Sequence, residues 1–278
     1  MAATLYLVGT PIGNLEDFSP RAQRVLSEVD FIAAEDTRVT LRLLSHFGIK
    51  KPLVSYYAHN LRGRGEEIAA RLEAGESCAV VTDAGMPCIS DPGEELVSLC
   101  AGREIPIETV PGPSAAITAL AVSGLPTGRF VFEGFLPQKR GERQRRLQEI
   151  APERRTLIFY EAPHRLLETL QDMRETLGER RIAVVKELTK VHESVLRLSL
   201  SEAAGYFAQR PPRGEYVLVL EGAAKEEQER PSPEEAAAQV RRRAQEQGLS
   251  LSQAAKEVAA ETGYRKSELY ARAAGHAQ

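Results

Sequence analysis

Three short turns rich in glycine and proline carry the residues best suited to holding a small molecule. They are Gly9-Thr10-Pro11-Ile12-Gly13, Asp83-Ala84-Gly85-Met86-Pro87 and Pro111-Gly112-Pro113-Ser114-Ala115. Each follows a short apolar run, where an open α/β sheet presents the carboxyl ends of its strands to a ligand. Glycine lets backbone N–H and C=O groups approach such a ligand with no side chain between. The first turn is not G-x-G-x-x-G, Pro11 stiffens it, and no Gly-Lys-Ser/Thr occurs anywhere. A standard dinucleotide or P-loop site is therefore not expected. The three cysteines, Cys78, Cys88 and Cys100, match no zinc or disulfide spacing. Cys78 and Cys100 border apolar runs and read as small core residues, so no metal site is expected.

The elements that must position these turns follow from periodicity. Thr4–Val8, Phe31–Ala34, Pro52–Tyr57, Cys78–Val81 and Ile105–Val110 read as strands. Between them lie helical stretches: one opened by Ser19-Pro20 and running to Asp30, one from Thr37 to about Phe47, one ending at Gly75, and one starting at Asp91-Pro92. An Ala-rich helix then opens at Ser114. Strands alternating with helices specify βαβ units and an open, mostly parallel sheet. After the linker-like Gly124-Leu125-Pro126-Thr127-Gly128 the pattern changes. Strands are predicted at Phe130–Phe135, Thr156–Tyr160, Arg181–Leu188, Val195–Leu200 and Tyr216–Leu220, with clear helices only at Glu142–Ile150 and His164–Leu177. More strand and less helix points to a mixed sheet. Beyond the polar stretch from Ala223 to Pro233 the chain is helical. Ser232-Pro233-Glu234-Glu235 forms a capping box, Leu251, Ala254, Ala255, Val258 and Ala259 share one face, and Thr262-Gly263 separates a last helix at Arg265–Ala274. That outline fits a helix-turn-helix or a small packing cap. The fold class is thus α/β, with domains expected at 1–124, 125–224 and 225–278.

A chain of 278 residues, 42% hydrophobic, is long enough for two or three domains. It contains no apolar run of about 18 residues, and its start has no basic segment of the signal-peptide kind. No membrane contact and a cytoplasmic location are expected. The formal net charge of −3 gives no general attraction for nucleic acid, so any RNA contact must rest on local basic patches.

Eight motifs in order then become recognisable. Val8–Leu15, Ala34-Glu35-Asp36-Thr37-Arg38, Asp83-Ala84-Gly85 with Ile89-Ser90-Asp91-Pro92-Gly93, and Pro111–Ala115 lie in the first half. Gly134-Phe135-Leu136-Pro137, Tyr160-Glu161-Ala162-Pro163-His164-Arg165, Lys186-Glu187-Leu188-Thr189-Lys190 and Gly214-Glu215 follow in the second. Over about residues 4 to 222 this resembles a family of ribosomal RNA methyltransferases built on the tetrapyrrole-methylase fold, and the helical tail is similar to their extension. Met86 and Cys88 depart from the pattern, which leads one to expect a hydroxyl residue and an aliphatic one there. The resemblance implies two α/β domains of the tetrapyrrole-methylase type, with S-adenosylmethionine in the cleft between them, and a homodimer. It implies methyl transfer to a cytidine ribose 2′-hydroxyl of 16S ribosomal RNA within the small ribosomal subunit. Carried over by motif, the cofactor's neighbours are Pro11 and Ile12, Asp83, Ala84 and Gly85, and Ser114 and Ala115. From the second half they are Tyr160, Glu161 and Ala162, then Leu188, and Gly214 with Glu215.

In-line methyl transfer to a hydroxyl needs alignment and a proton acceptor, and no metal. The charged motifs nearest the inferred cleft are Asp36 with Arg38 and Lys186 with Glu187. Each pair serves equally well as catalytic machinery or as a structural ion pair, a helix-start cap for the first and a strand-end bridge for the second. His164, at a helix start after Pro163, is better suited to packing or capping. For RNA, Lys139, Arg140, Arg143, Arg145 and Arg146 form a basic segment beside a cleft motif and suit phosphate contacts. Arg241-Arg242-Arg243 is a weaker patch, and Tyr56, Tyr57 and His59 offer rings for stacking a splayed base. Two other readings stay open: a tetrapyrrole or small-molecule methyltransferase of the same fold, and an RNA-binding protein that no longer catalyses.

Overall fold

The computed structural model describes residues 3–57, 61–224 and 231–275; His59 lies outside them. Strands β1 (Leu5–Val8), β2 (Phe31–Ala34), β3 (Leu53–Ser55), β4 (Cys78–Val81) and β5 (Ile107–Val110) form one sheet in the order β3-β2-β4-β1-β5, every pair parallel. Strands β2 and β4 are buried along their whole length, so their apolar runs are continuous rather than alternating. Helices α1 (Pro20–Glu28) and α2 (Thr37–His46) cover one face; α3 (Leu61–Glu73) and α4 (Glu94–Gly102) cover the other. Ser19 caps α1 by accepting from the Ala22 N–H at 3.1 Å, with Pro20 in the first turn. Cys78 and Cys100 are buried among apolar side chains, as their sequence context requires.

Helix α5 (Ala115–Ser123) ends at Gly124 in the left-handed conformation, and the chain enters the second sheet. Its strands are β6 (Phe130–Phe135), β7 (Thr156–Glu161), β8 (Arg181–Lys186), β9 (Ser194–Ser199) and β10 (Tyr216–Leu220), ordered β6-β7-β10-β8-β9. Only β6–β7 is parallel, so the sheet is mixed. Helices α6 (Arg140–Ile150), α7 (Leu166–Leu177) and α8 (Leu200–Gln209) close one face. The opposite face is covered by α5 itself, through Ala116, Ala119 and Leu120 against Ile158, Val185 and Val219. A helix that belongs to the first sheet in sequence is thus core to the second, and Met1–Ala223 forms one compact unit.

Three of the boundaries that differ from expectation have a clear local cause. Helix α8 replaces what read as the end of a strand: Ser199 and Glu202 form a reciprocal capping box that starts it. Helix α4 begins at Glu94, not at Asp91-Pro92, and its cap is Gly93. Strand β8 stops at Lys186 because Glu187 turns to a φ of 53°.

The second unit, Ala224–Gln278, contains α9 (Pro233–Gln247), α10 (Leu251–Thr262) and α11 (Lys266–Ala273). Ser232 with Glu235 and Ser250 with Gln253 make capping boxes, and Gly248 and Gly263 end the first two helices in the left-handed conformation. Ala236, Val240, Ala254, Val258 and Leu269 fill the small core. Of its Arg241–Arg243 run, Arg243 pairs with Glu261 at 2.6 Å and Arg241 donates to the Arg272 carbonyl. Among the described residues no helix is long and apolar enough to cross a membrane.

Candidate active site

The three glycine-proline turns meet at the carboxyl ends of β1, β4 and β5. Gly9 donates its N–H to the Val110 carbonyl at 3.0 Å, and Thr10 and Gly85 exchange two backbone hydrogen bonds of 2.9 and 3.1 Å. The Gly9 and Gly112 backbones touch so closely that a Cβ on either would lie under 3 Å from the other. Met86 uses its departure from the family pattern here: its sulfur accepts the Gly112 N–H at 3.3 Å.

These turns wall a cavity of about 370 Å³, closed on the other side by the second sheet. That size falls within the range of small-molecule sites. Tyr160 at the end of β7 spans the junction. Its hydroxyl accepts the Ala116 N–H at 3.2 Å, and its ring packs edge-on against Phe132 and Phe135 at 5.0 and 5.6 Å. Burial, more than the nearby Asp91 charge, pushes its hydroxyl pKa up.

The charged residues of the lining are all acidic: Asp91, Glu161, Glu187 and Glu215 are among the lining residues, and no Lys, Arg or His is. Such a wall disfavours phosphates and suits a cation. Three of the four carboxylates are held. Glu161 accepts from the Ala162 N–H at 2.8 Å and from the Thr169 hydroxyl at 2.5 Å. Glu187 accepts from the Glu215 N–H at 2.8 Å and from Lys190 at 3.1 Å. Burial alone would raise Glu187, but those two donors outweigh it and hold its pKa below the ordinary value. Glu215 pairs with Lys190 at 3.0 Å.

The structure brings most of the cofactor positions inferred from sequence to this one cavity. Ile12, Ala84, Gly85, Ser114 and Ala115 line it from the first sheet's side. Tyr160, Glu161, Ala162, Leu188 and Glu215 line it from the second. Pro11 and Asp83 instead line a second cavity of about 350 Å³ on the other side of the same turns, against α2. Gly214 supports from behind, its φ of 89° placing it against the Glu187 carboxylate.

Of the charged candidates only Glu187 lines the main cavity; Asp36, Arg38 and Lys186 line neither cavity. Asp36 caps α2 by accepting the Arg38 N–H at 2.8 Å and grips the exposed Arg38 guanidinium at 2.6 Å. That pairing holds the Asp36 carboxyl well below the usual carboxylate range. The Asp36 N–H donates to Asp83 at 3.2 Å, so the pair braces the Asp83 turn. His164 is exposed on a single 3-10 turn, Pro163–Arg165.

The basic segment divides on inspection. Arg143 is 2% exposed and cannot meet RNA. It shares the inward face of α6 with Leu147 and Ile150, and its guanidinium bonds the equally buried Asp172 at 2.7 Å. Arg140 pairs with Asp172 and Glu175, Arg146 with Glu133 and Glu149, and Lys139 with Glu142. Arg145 is exposed, with no ion pair among the described residues. Tyr56 is buried in the first sheet's core, which excludes it as a stacking platform.

Sequence reasoning missed Met86, Ser90, Asp91 and Phe135 as cavity residues. Their signal was present, since all four sit within or beside the motifs quoted above, but a motif does not say which of its residues face inward.

Comparison with known proteins agrees with this geometry. Residues 4–204 match the Tetrapyrrole (Corrin/Porphyrin) Methylases family, and residues 231–276 match the RsmI C-terminal HTH domain. Ribosomal RNA small subunit methyltransferase I of Synechocystis is 51% identical over 96% of this chain and 95% of its own. The protein of that name from Pseudomonas aeruginosa is also 51% identical, over 80% of this chain and 79% of its own. Among solved structures, uroporphyrin-III C-methyl transferase from Thermus thermophilus with S-adenyl homocysteine superposes with a TM-score of 0.54 at 21% identity. That match covers 78% of this chain and 97% of the Thermus chain, and it shows the fold. With two sheets clasping one cavity, and near-complete coverage at half identity, the chain is a methyltransferase belonging to the ribosomal RNA small subunit methyltransferase I family, within the tetrapyrrole methylases.

Proposed function

We propose that this chain transfers the methyl group of S-adenosylmethionine to a cytidine ribose 2′-hydroxyl of 16S ribosomal RNA in the small subunit. The observation that carries the reading is the cavity's lining: four acidic residues, no basic residue and a floor of glycine-rich backbone. S-adenosylmethionine carries a sulfonium cation and a zwitterionic tail of one ammonium and one carboxylate, a net positive charge. An acidic wall favours its cations, and a polyphosphate cofactor would be repelled. The first-turn amides of α5 that the Ser114 side chain leaves uncapped, apart from that of Ala116, which the Tyr160 hydroxyl takes, suit the carboxylate of that tail. Phe135 and Tyr160 offer aromatic faces to an adenine or a sulfonium. When bound, the cofactor supplies an electrophilic methyl carbon; the chain's residues hold and orient it and exclude water. The relatives named above support ribosomal RNA as the acceptor, and the motif resemblance supports the cytidine 2′-hydroxyl and a homodimer.

The test is transfer of labelled methyl from S-adenosylmethionine to small ribosomal subunits purified from a strain lacking the enzyme. Digestion to nucleosides is expected to place the label in 2′-O-methylcytidine. Label on a base, or transfer only to a porphyrinogen, would replace this reading with another acceptor.

RNA contact in this reading falls to the exposed side of α6, through Lys139, Arg140, Arg145 and Arg146. Because Arg140 and Arg146 are each shared between two carboxylates, Lys139 and Arg145 carry more of the free charge. Replacing both Lys139 and Arg145 by alanine is expected to flatten the dependence of log K on log salt by about 1.4, some 0.7 per lost phosphate contact. Cofactor affinity measured by calorimetry should be unchanged. An unaltered salt slope would remove α6 from the RNA interface.

A further inference from the structure

We propose that Asp91 is the catalytic base of this site, its carboxylate taking the proton of the acceptor hydroxyl as the methyl group is transferred. The assignment rests on the methyl transfer to a ribose hydroxyl proposed above, and names the group that completes it.

Four acidic residues line the cavity, and a base must be one whose oxygens are free to accept a proton. Glu161 is tied to a hydroxyl and an amide, with the Arg165 guanidinium at 3.5 Å, Glu187 to an amide and an ammonium, and Glu215 to the same ammonium. Asp91 alone has no hydrogen bond or ion pair among the described residues. The ordinary employment of an aspartate just before a helix is to cap it. Asp91 does not do so: α4 starts three residues later, and its cap is Gly93, which makes no side-chain bond to the first turn. The turn that carries Asp91 is held in an unusual shape, with φ of 71° at Cys88 and 62° at Ser90, both non-glycine. A carboxylate presented to the cavity and used for neither fold nor cap is left for chemistry.

Its surroundings tune it for the task. From the turn after β2 comes Glu35, from the turn after β4 comes Asp83, and from β7 come Tyr160 and Glu161; Glu187 and Glu215 line the same cavity, and Glu94 follows on α4. None of these is a cation. Burial, then the charges of Glu35 and Asp83, push the Asp91 carboxyl up to about 7. A base with a pKa near the working pH combines a large deprotonated fraction with a real affinity for the proton. Glu35 and Asp83 are themselves raised, chiefly by burial, so the whole corner disfavours negative charge.

The step balances. The hydroxyl oxygen forms the new bond to the methyl carbon, and the carbon–sulfur bond breaks with its electron pair left on sulfur. The hydroxyl proton passes to Asp91, which becomes a neutral acid and later releases the proton to solvent. One positive charge on sulfur and one negative charge on Asp91 disappear together, which favours the transition state in a buried site.

The experiment measures single-turnover methyl transfer to small subunits between about pH 5.5 and 9 for the native chain, Asp91→Asn and Asp91→Glu, with calorimetry for S-adenosylmethionine. The native rate should rise through a limb near pH 7 and then level. Asp91→Asn should lose on the order of 10²–10⁴-fold in rate and lose the limb, with cofactor affinity within a few-fold of native. Asp91→Glu should keep a displaced limb and part of the rate. A second readout needs no RNA. A carboxyl raised on folding is protonated in the native state and ionised in the unfolded one between about pH 4 and 7, so native stability should fall with rising pH there. Asp91→Asn should show a smaller fall, the part left being that of Glu35 and Asp83. An active Asp91→Asn chain with its limb intact overturns the assignment, and so does a loss of cofactor affinity that accounts for the loss of rate. If the native chain transfers no methyl to subunits at any pH, the acceptor reading fails and takes this assignment with it.

Discussion

Replacing Gly112 by alanine is expected to weaken S-adenosylmethionine binding by at least tenfold and to destabilise the first unit by about 1–3 kcal/mol, the usual range for overpacking. The new Cβ would lie 2.8 Å from the Gly9 Cα and 2.9 Å from its carbonyl carbon. Both are backbone atoms, anchored by the hydrogen bonds from Gly9 to Val110 and between Thr10 and Gly85. They cannot swing aside as a flexible side chain does, so the β1 and β5 turns must separate. Separation also pulls Gly112 from the Met86 sulfur and shifts Ser114 and Ala115, which line the cavity. Gly9→Ala should behave alike, its Cβ meeting Gly112 at 2.6 Å and the Met86 sulfur at 2.7 Å. Gly205→Ala makes the control. It is exposed in α8 with nothing near its Cβ direction, so alanine should stabilise by roughly 0.5–1 kcal/mol through helix propensity. Calorimetry for the cofactor and denaturant unfolding for stability check all three. A Gly112→Ala chain that binds cofactor like the native one would mean the turns adapt, and that close backbone approach does not shape this site.

Much of this architecture is legible in the sequence because it rests on local signals. The buried runs of β2 and β4, the Ser19-Pro20 start of α1 and the capping boxes of α9 and α10 each fix an element with residues a few positions apart. The mixed second sheet followed from the same reading. Helix α8 escaped because the apolar alternation of β9 runs into Leu200 and hides the Ser199–Glu202 box that ends it. The site is legible only to the level of the turn. Adjacent residues of one turn face opposite sides of it, so Ile12 reaches the main cavity and Pro11 does not, and Gly85 does where Asp83 does not. Motif spacing carries no information about that choice, which depends on how the β1, β4 and β5 turns interlock. Asp91 illustrates a further limit. Asp-Pro ahead of an apolar run is a helix-start signal, and only the three-dimensional path of residues 86–93 shows it aimed into a cavity instead. Arg143 was misplaced for a related reason. Five basic residues within eight positions suggest a solvated face, yet Arg143, Leu147 and Ile150 share one side of a helix, and that side is core.

The buried pair that results is expected to give the second large effect, and an asymmetric one. Asp172→Leu leaves the Arg143 guanidinium, 2% exposed, with the Gln138 carbonyl at 3.2 Å and the distant Glu168 carboxylate at 3.6 Å as partners. An uncompensated buried charge of this kind costs about 3–5 kcal/mol. Arg143→Met leaves Asp172 with Arg140 at 2.9 Å and Gln144 at 3.5 Å, so its cost should be smaller, about 1–3 kcal/mol for a buried polar group left partly satisfied. The double variant Arg143→Met/Asp172→Leu removes both charges and fills the space with apolar atoms. Replacing a whole buried pair in this way is often neutral or better, so its stability should return to within about 1 kcal/mol of native. Denaturant unfolding of the four chains gives the coupling energy between the sites directly. The same double variant separates structure from RNA contact. If Arg143 serves only the packing of α6 on α7, the refolded double variant methylates small subunits at the native rate and with the native salt dependence. A loss of activity in a chain of restored stability would mean that the guanidinium reaches RNA after all, through an opening of α6 that the closed structure does not display.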